Sequence, residues 1–177
     1  MAKLYFKYGV MGCSKSAQAL ITKFNYEERG MKVLLIKPAI DTRDGKDVVK
    51  SRIGLSSEAY AVSADENLYD FYVKKHKDND VIIVDECQFL TTEQVDRLGD
   101  IVIDFNVPVL CFGLACDFTN HLFEGSKRLF EIAESVAEIK SVCRCGAKAT
   151  VTARFDDEGH ILYKGEQVVL GGNNRYT

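Results

Sequence analysis

The chain has 177 residues, 46% of them hydrophobic and 28% charged, with 23 basic against 26 acidic side chains and a net charge of −3. Such a length holds one ordinary domain, or one domain with a small appendage, and can bury a core without disulfide staples. The composition excludes a disordered chain, the charge balance gives no footprint for nucleic acid or an anionic membrane, and no apolar run approaches the roughly 18 residues of a membrane helix.

The N-terminus, Met1-Ala2-Lys3-Leu4-Tyr5, lacks the apolar stretch and cleavage site of a signal peptide, so a cytoplasmic location is expected. Leu4-Tyr5-Phe6-Lys7-Tyr8 reads as a strand, followed by a glycine-containing turn over 9–14 and a helix over 15–29. The apolar stripe of that helix is Ala17, Leu20, Ile21 and Phe24, and Gly30 stops it. The run Val33-Leu34-Leu35-Ile36 suits a strand buried on both faces. Residues 38–58 are polar and read as a long functional loop. A short helix is expected over 67–77, a strand at Val81-Ile82-Ile83-Val84, a helix over 92–105 and a strand over 107–112. An irregular loop over 113–125, a helix over 126–134 and a strand over 136–139 follow. Buried strands alternating with amphipathic helices predict a parallel α/β sheet with helices on both faces over 1–140. From Ser141 the helical patterning stops, and a boundary separates a small unit over 141–177.

Of the six cysteines, Cys13, Cys87, Cys111 and Cys116 read as small hydrophobes of the core, and disulfides are not expected. His76, His121 and His160 lack metal spacing and read as exposed.

Gly9-Val10-Met11-Gly12-Cys13-Ser14-Lys15-Ser16 lies between the first strand and the first helix, the setting of a phosphate-binding P-loop. Backbone N–H groups of the turn and the helix N-terminus would cradle the phosphates of ATP. Lys15 would reach the β- and γ-phosphates, and Ser16 would bind Mg²⁺. The pattern G-x-x-x-x-G-K-[ST] departs at its second glycine, here Ser14, and Gly12 is expected to supply the turn's freedom. The apolar strand ending in Asp85-Glu86 supplies a second half-site. In a parallel sheet the carboxyl ends of strands share one crevice, so Asp85 would meet Lys15 and Ser16 and hold Mg²⁺. Glu86 would accept the proton of an attacking hydroxyl. These residues alone point to Mg²⁺-nucleotide phosphoryl chemistry. A phosphate-loop ATPase with another second substrate, or a non-catalytic nucleotide sensor, remains compatible with them.

Asp85-Glu86-Cys87-Gln88-Phe89 resembles the D-E-x-Q-F segment of the thymidine kinase family that includes the vertebrate cytosolic enzyme and most bacterial ones. The resemblance extends to Met11 in the phosphate loop, to Lys37 with Asp41-Thr42-Arg43, and to Gly113-Leu114-Ala115-Cys116-Asp117-Phe118 with Phe123. Residues 165–176 are similar to that family's lasso segment. The family implies an ATP:thymidine 5′-phosphotransferase, with deoxyuridine as a second substrate, thymidine triphosphate as feedback inhibitor and a homotetramer as the assembly. It implies Glu86 as base, Arg43 and Lys15 as catalytic cations, and Asp41 ordering the Arg43 region. Phe89 and Phe118 would wall the thymine pocket, with Met11, Gln88 and Thr152 near the nucleoside. Val168, Val169, Leu170, Gly171 and Gly172 would grip the base, and Tyr176 would close over it. Cys143 and Cys145 match the first ligand pair of a structural zinc, making 141–177 a zinc-ribbon-like domain. The family's second ligand pair would follow the tyrosine, but the sequence given ends at Thr177, so the domain is expected to be cut short and the zinc site incomplete.

Overall fold

A computed structural model of the protein describes residues 1–43, 45–168 and 176. The elements are β1 (Leu4–Tyr8), α1 (Lys15–Glu27), β2 (Val33–Pro38), β3 (Val48–Lys50), β4 (Ser56–Glu58), β5 (Tyr60–Val62), α2 (Leu68–Phe71) and β6 (Val81–Val84). They continue as α3 (Thr92–Phe105), β7 (Val109–Gly113), α4 (Glu124–Ile132), β8 (Ser135–Glu138), β9 (Arg154–Phe155) and β10 (Ile161–Leu162). Helix α2 runs on as a π-helical turn, Tyr72–His76, and a 3-10 turn, Cys87–Phe89, follows β6.

Six strands form one sheet in the order β5-β2-β6-β7-β1-β8, and every pairing in it is parallel. Alternate residues of each inner strand feed two separate cores, as a two-residue period requires. Leu34, Ile36, Ile82, Val84, Val109 and Cys111 face one side, where they join Val95, Leu98 and Ile101 of α3 and Leu129 of α4. Leu35, Val81, Ile83, Leu110 and Phe112 face the other and meet Ala19 and Leu20 of α1. Burying a side chain such as Ile83 in this way contributes about 1.5–3 kcal/mol. Helix α3 begins on a capping box, with the Thr91 hydroxyl accepting from Gln94 N–H and the Gln94 carboxamide accepting from Thr91 N–H.

The α/β sheet flanked by helices is therefore the architecture expected, with five local corrections. Residues 38–58 are not a plain loop, because β3 and β4 pair as an antiparallel hairpin (Val49↔Ser57). The edge strand β5 was not foreseen either. Both lack an apolar signature: of the hairpin strands only Val49 is buried, and Tyr60 lies open to solvent. Helix α4 starts two residues earlier than its apolar pattern suggests. Ile21 and Phe24 of α1 stay exposed, since the buried face of α1 uses Lys15, Ala17, Ala19 and Leu20. His76 also departs from expectation. It is only 8% exposed and packs between the rings of Tyr60 and Phe71, each centroid 4.5 Å away.

From residue 141 onward, described structure is sparse. A tight turn is closed by Cys143 N–H to Ala147 C=O at 2.8 Å, and β9 and β10 form a short antiparallel ladder. Among the described residues, no helix is long and apolar enough to cross a membrane.

Candidate active site

The carboxyl ends of β1, β2, β6 and β7 open on one edge of the sheet, and each delivers polar residues there. After β1 comes the phosphate loop. Gly9 carries no side chain because a Cβ would stand 2.4 Å from Cys13 Sγ and 2.6 Å from Ile139 C=O. Gly12 has φ 80°, the freedom expected of it, and Ser14 itself is left-handed at φ 62° just before α1. Lys15 is 8% exposed, and its ammonium donates to the Val10 carbonyl at 2.7 Å and the Gly9 carbonyl at 3.4 Å. It thus braces the loop from within. Cys13 is buried and packs behind the loop.

After β6, Asp85 is 4% exposed and borders the same cleft as Lys15 and Ser16. Desolvation, with help from the neighbouring Glu86, pushes the Asp85 carboxyl up to about 7 against the pull of Ser16 and Lys15. A hydroxyl beside a buried carboxylate is a hard oxygen donor pair, and a divalent cation there would compensate a charge that the fold otherwise resists. The residues present therefore fit Mg²⁺.

Glu86 holds a left-handed backbone, φ 52°, at the turn out of β6. Its carboxylate accepts from Arg43 through Oε1 and from Gln88 Nε2 through Oε2 at 2.6 Å. Arg43 in turn donates through Nε to Asp41 at 2.6 Å. Burial alone would raise the Asp41 carboxyl, but the Arg43 guanidinium and Lys37 bring it below the ordinary carboxylate range. Desolvation would lower Arg43, yet Glu86 and Asp41 together lift it above its ordinary value. Lys37, 1% exposed, donates to the carbonyls of Gly45 and Val48 at 2.8 and 2.9 Å and so fastens the hairpin to β2.

Two cavities meet at these residues. A cleft of about 680 Å³ is walled by Met11, Ser14, Lys15, Ser16, Asp85 and the hairpin. A second cavity is mainly apolar, lined by Phe89, Leu114, Phe118, Phe123, Val168 and Tyr176, with Thr152 beside them. Met11, Arg43 and Glu86 belong to both linings. Phe89 and Phe123 stack edge to face at 5.7 Å. Thr152 is buried, and its hydroxyl oxygen accepts from Met11 N–H at 3.0 Å, joining the C-terminal segment to the phosphate loop.

Sequence reasoning missed two cations. Arg52, at the tip of the β3–β4 hairpin, lines the phosphate cleft and lies close to Gly12. Arg154 is 5% exposed and lays its guanidinium over Phe118, 3.8 Å from the ring centroid. It donates to the carbonyls of Glu166 and Gln167 at 2.8 and 3.3 Å. Neither cation sits in a recognisable motif; a place two residues after Thr152, itself expected near the nucleoside, is the one signal Arg154 offered.

Cys143 and Cys145 stand apart. Both are exposed and border a different cavity, behind Met11 and Gly12. Hydrogen bonds from the Ala147 backbone and Cys143 lower the Cys145 thiol. No third ligand joins the two thiols among the described residues, whereas structural zinc takes four. The donor set present therefore does not complete a zinc site. Val169, Leu170, Gly171 and Gly172 lie outside the described residues.

The family model for thymidine kinase matches residues 2–177. A thymidine kinase of Zymomonas mobilis is 49% identical over 178 residues, covering 99% of this chain and 92% of its own. One of Enterobacteria phage T4 is 49% identical over 173 residues, with 97% and 90% covered. One of Yersinia pseudotuberculosis is 45% identical over 179 residues, with 100% and 91% covered. With such identity sustained along nearly its whole length, the chain belongs to the thymidine kinase family.

Proposed function

We infer that this chain is an ATP:thymidine 5′-phosphotransferase, moving the γ-phosphoryl group of ATP to the 5′-hydroxyl of thymidine. Family membership supports the reaction, and one observation supports its layout. Glu86 lies on the wall shared by the polar phosphate cleft and the aromatic cavity. A pyrimidine between Phe89 and Phe118 would have aromatic walls to stack on. Its sugar hydroxyl would then point across Glu86 toward the phosphates. Glu86 accepts that proton as general base, and Arg43, already in contact with Glu86, offers positive charge to the phosphoryl group in transit. A magnesium ion held by Ser16 and Asp85 would supply neutralisation of the phosphate charge. Lys15 exchanges the loop carbonyls for phosphate oxygens when ATP binds. Asp41 keeps Arg43 aligned, and Arg52 adds charge from the hairpin. Met11, Thr152, Val168 and Tyr176 border the nucleoside, as does the segment 169–172 by family resemblance.

The same reading assigns residues 1–140 to the ATP-binding domain and 141–177 to a zinc-ribbon-like domain carrying the Cys143 and Cys145 thiol pair. It takes deoxyuridine as a second substrate and thymidine triphosphate as feedback inhibitor, and it keeps the enzyme in the cytoplasm. It also makes the enzyme a homotetramer, for which the exposed Ile21 and Phe24 of α1 offer apolar surface.

The test is ADP release with and without thymidine for the wild type and Glu86→Gln. Thymidine should stimulate the wild type strongly. The variant should lose about a hundredfold or more in turnover, within the range of a lost general base, while still binding ATP. Unchanged turnover would remove Glu86 from its role, and absence of stimulation by any nucleoside would remove the kinase reading.

A further inference from the structure

Gln88 lines the aromatic cavity, and its place in the D-E-x-Q-F segment suggests a nucleoside contact. Each of its polar atoms already has a protein partner. The side chain is 2% exposed. Its carboxamide nitrogen donates to Glu86 Oε2 at 2.6 Å, and its carboxamide oxygen accepts from Leu114 N–H at 3.0 Å. The two bonds fix the orientation of the amide, since only the NH₂ can donate to a carboxylate and only the oxygen can accept from a backbone N–H.

The anchor reaches into the neighbouring strand. Leu114 directly follows β7, and Gly113 ends it. A Cβ on Gly113 would stand 2.6 Å from both Cys87 Sγ and Gln88 Oε1, and 3.1 Å from Gln88 N. The missing side chain at 113 leaves the space that the Gln88 carboxamide shares with the Cys87 thiol. Glu86 needs such support because its backbone is left-handed at φ 52°, and a non-glycine residue persists there only when its surroundings hold it. Arg43 holds one carboxylate oxygen from the solvent side, and Gln88 holds the other from the interior.

We propose that Gln88 is a positioning residue that ties the Glu86 carboxylate to the end of β7, and that it acts on the reaction through Glu86 instead of by contact with thymidine. The proposal rests on Glu86 being the general base. When Arg43 turns to the phosphates, Gln88 is the bond that remains to aim the carboxylate at the 5′-hydroxyl. The charge-assisted donor is worth enough for its loss to slow turnover by about ten- to a hundredfold.

Gln88→Glu keeps the shape and the acceptor for Leu114 N–H but replaces the donor facing Glu86. It is compared with Gln88→Ala, each alone and combined with Glu86→Gln, with thymidine KM, kcat and melting temperature read for all. The expected result is a loss of kcat in both single variants with thymidine KM within about twofold of wild type. In the Glu86→Gln background neither substitution should lower the residual turnover further. A raised KM with kcat retained would make Gln88 a substrate contact and overturn the proposal. So would an equal loss in both backgrounds, or wild-type kinetics in both single variants. Full turnover by Glu86→Gln alone would overturn the assignment of the base itself, and the proposal with it. Gly113→Ala, which should displace the same carboxamide, is expected to reproduce the kcat loss; wild-type kcat in a folded Gly113→Ala protein would count against the anchor.

Discussion

Ser14 occupies a left-handed backbone position, φ 62° and ψ 30°, where the usual phosphate-loop pattern has glycine. A Cβ in that region costs about 1–2 kcal/mol, whereas a glycine would loosen the unfolded chain by about 0.4–1 kcal/mol. Ser14→Gly should therefore stabilise the protein by about 0.5–1 kcal/mol, seen as a melting temperature raised by roughly 2 °C. His76 carries a different kind of cost. Burial, and secondarily Lys75, hold its imidazole below the ordinary value of 6.5. Below pH 6.5 the unfolded chain takes up a proton that the folded chain refuses. The stability associated with neutral His76 is thus complete above pH 6.5 and is lost as the pH falls toward the lower folded value. Metal-free Asp85 works in the opposite sense, because its raised pKa lets the folded state take a proton below about pH 7 while the unfolded state does not. A comparison isolates the histidine: denaturation midpoints of wild type and His76→Phe, followed from pH 7.5 to 5.5, should diverge, with the wild type declining more steeply. Parallel curves would show that His76 does not titrate with folding.

The elements that shape the site are the ones with the least sequence signal. The β3–β4 hairpin carries Arg52 to the phosphate cleft, yet its strands have three residues each and a single buried side chain, Val49. Its position depends on Lys37, a buried lysine reaching two carbonyls from β2, and such a contact has no periodic pattern to betray it. The C-terminal segment is held in a similar way. Arg154 stacks on Phe118 and grips the carbonyls of Glu166 and Gln167, while Gln167 Nε2 donates to Asp117 at 3.0 Å. Arg154→Ala removes a cation–π contact and two charged hydrogen bonds, worth about 2–4 kcal/mol together in this partly buried setting. The loss should stay local: amide exchange in residues 160–168 should accelerate and thymidine KM should rise about tenfold or more, while β6 remains protected. Equal acceleration throughout the sheet would mean that Arg154 supports the whole fold.

At the scale of the molecule, function and stability pull against each other at the end of β6. An ionised Asp85 is disfavoured by its burial, which is why its carboxyl is pushed up to about 7. Asp85→Asn keeps the shape without the charge. In metal-free buffer at pH 8 it should melt no lower than wild type, yet turnover should fall by at least about a hundredfold, as the proposed role of Asp85 in holding Mg²⁺ requires. A large loss of stability would contradict the burial argument. Chelation of Mg²⁺ should likewise stop turnover of the wild type without unfolding it. What the sequence by itself determined was the sheet and which two polar segments, 9–16 and 85–86, it brings to one edge. Continuous apolar runs such as Val81-Ile82-Ile83-Val84 have one stable home, between two layers of helices, and parallel strands send their carboxyl ends to one edge. That was enough to expect Ser16 beside Asp85 from about seventy positions away. The tertiary structure alone decided which polar group faces which. The Arg43–Glu86 pair, the Gln88 anchor at Leu114, the Arg154 stack and the burial of His76 all join residues from different elements. Hydrogen bonds and ring contacts of that kind follow from the meeting of surfaces in space, and a one-dimensional pattern of apolar and polar residues does not encode them.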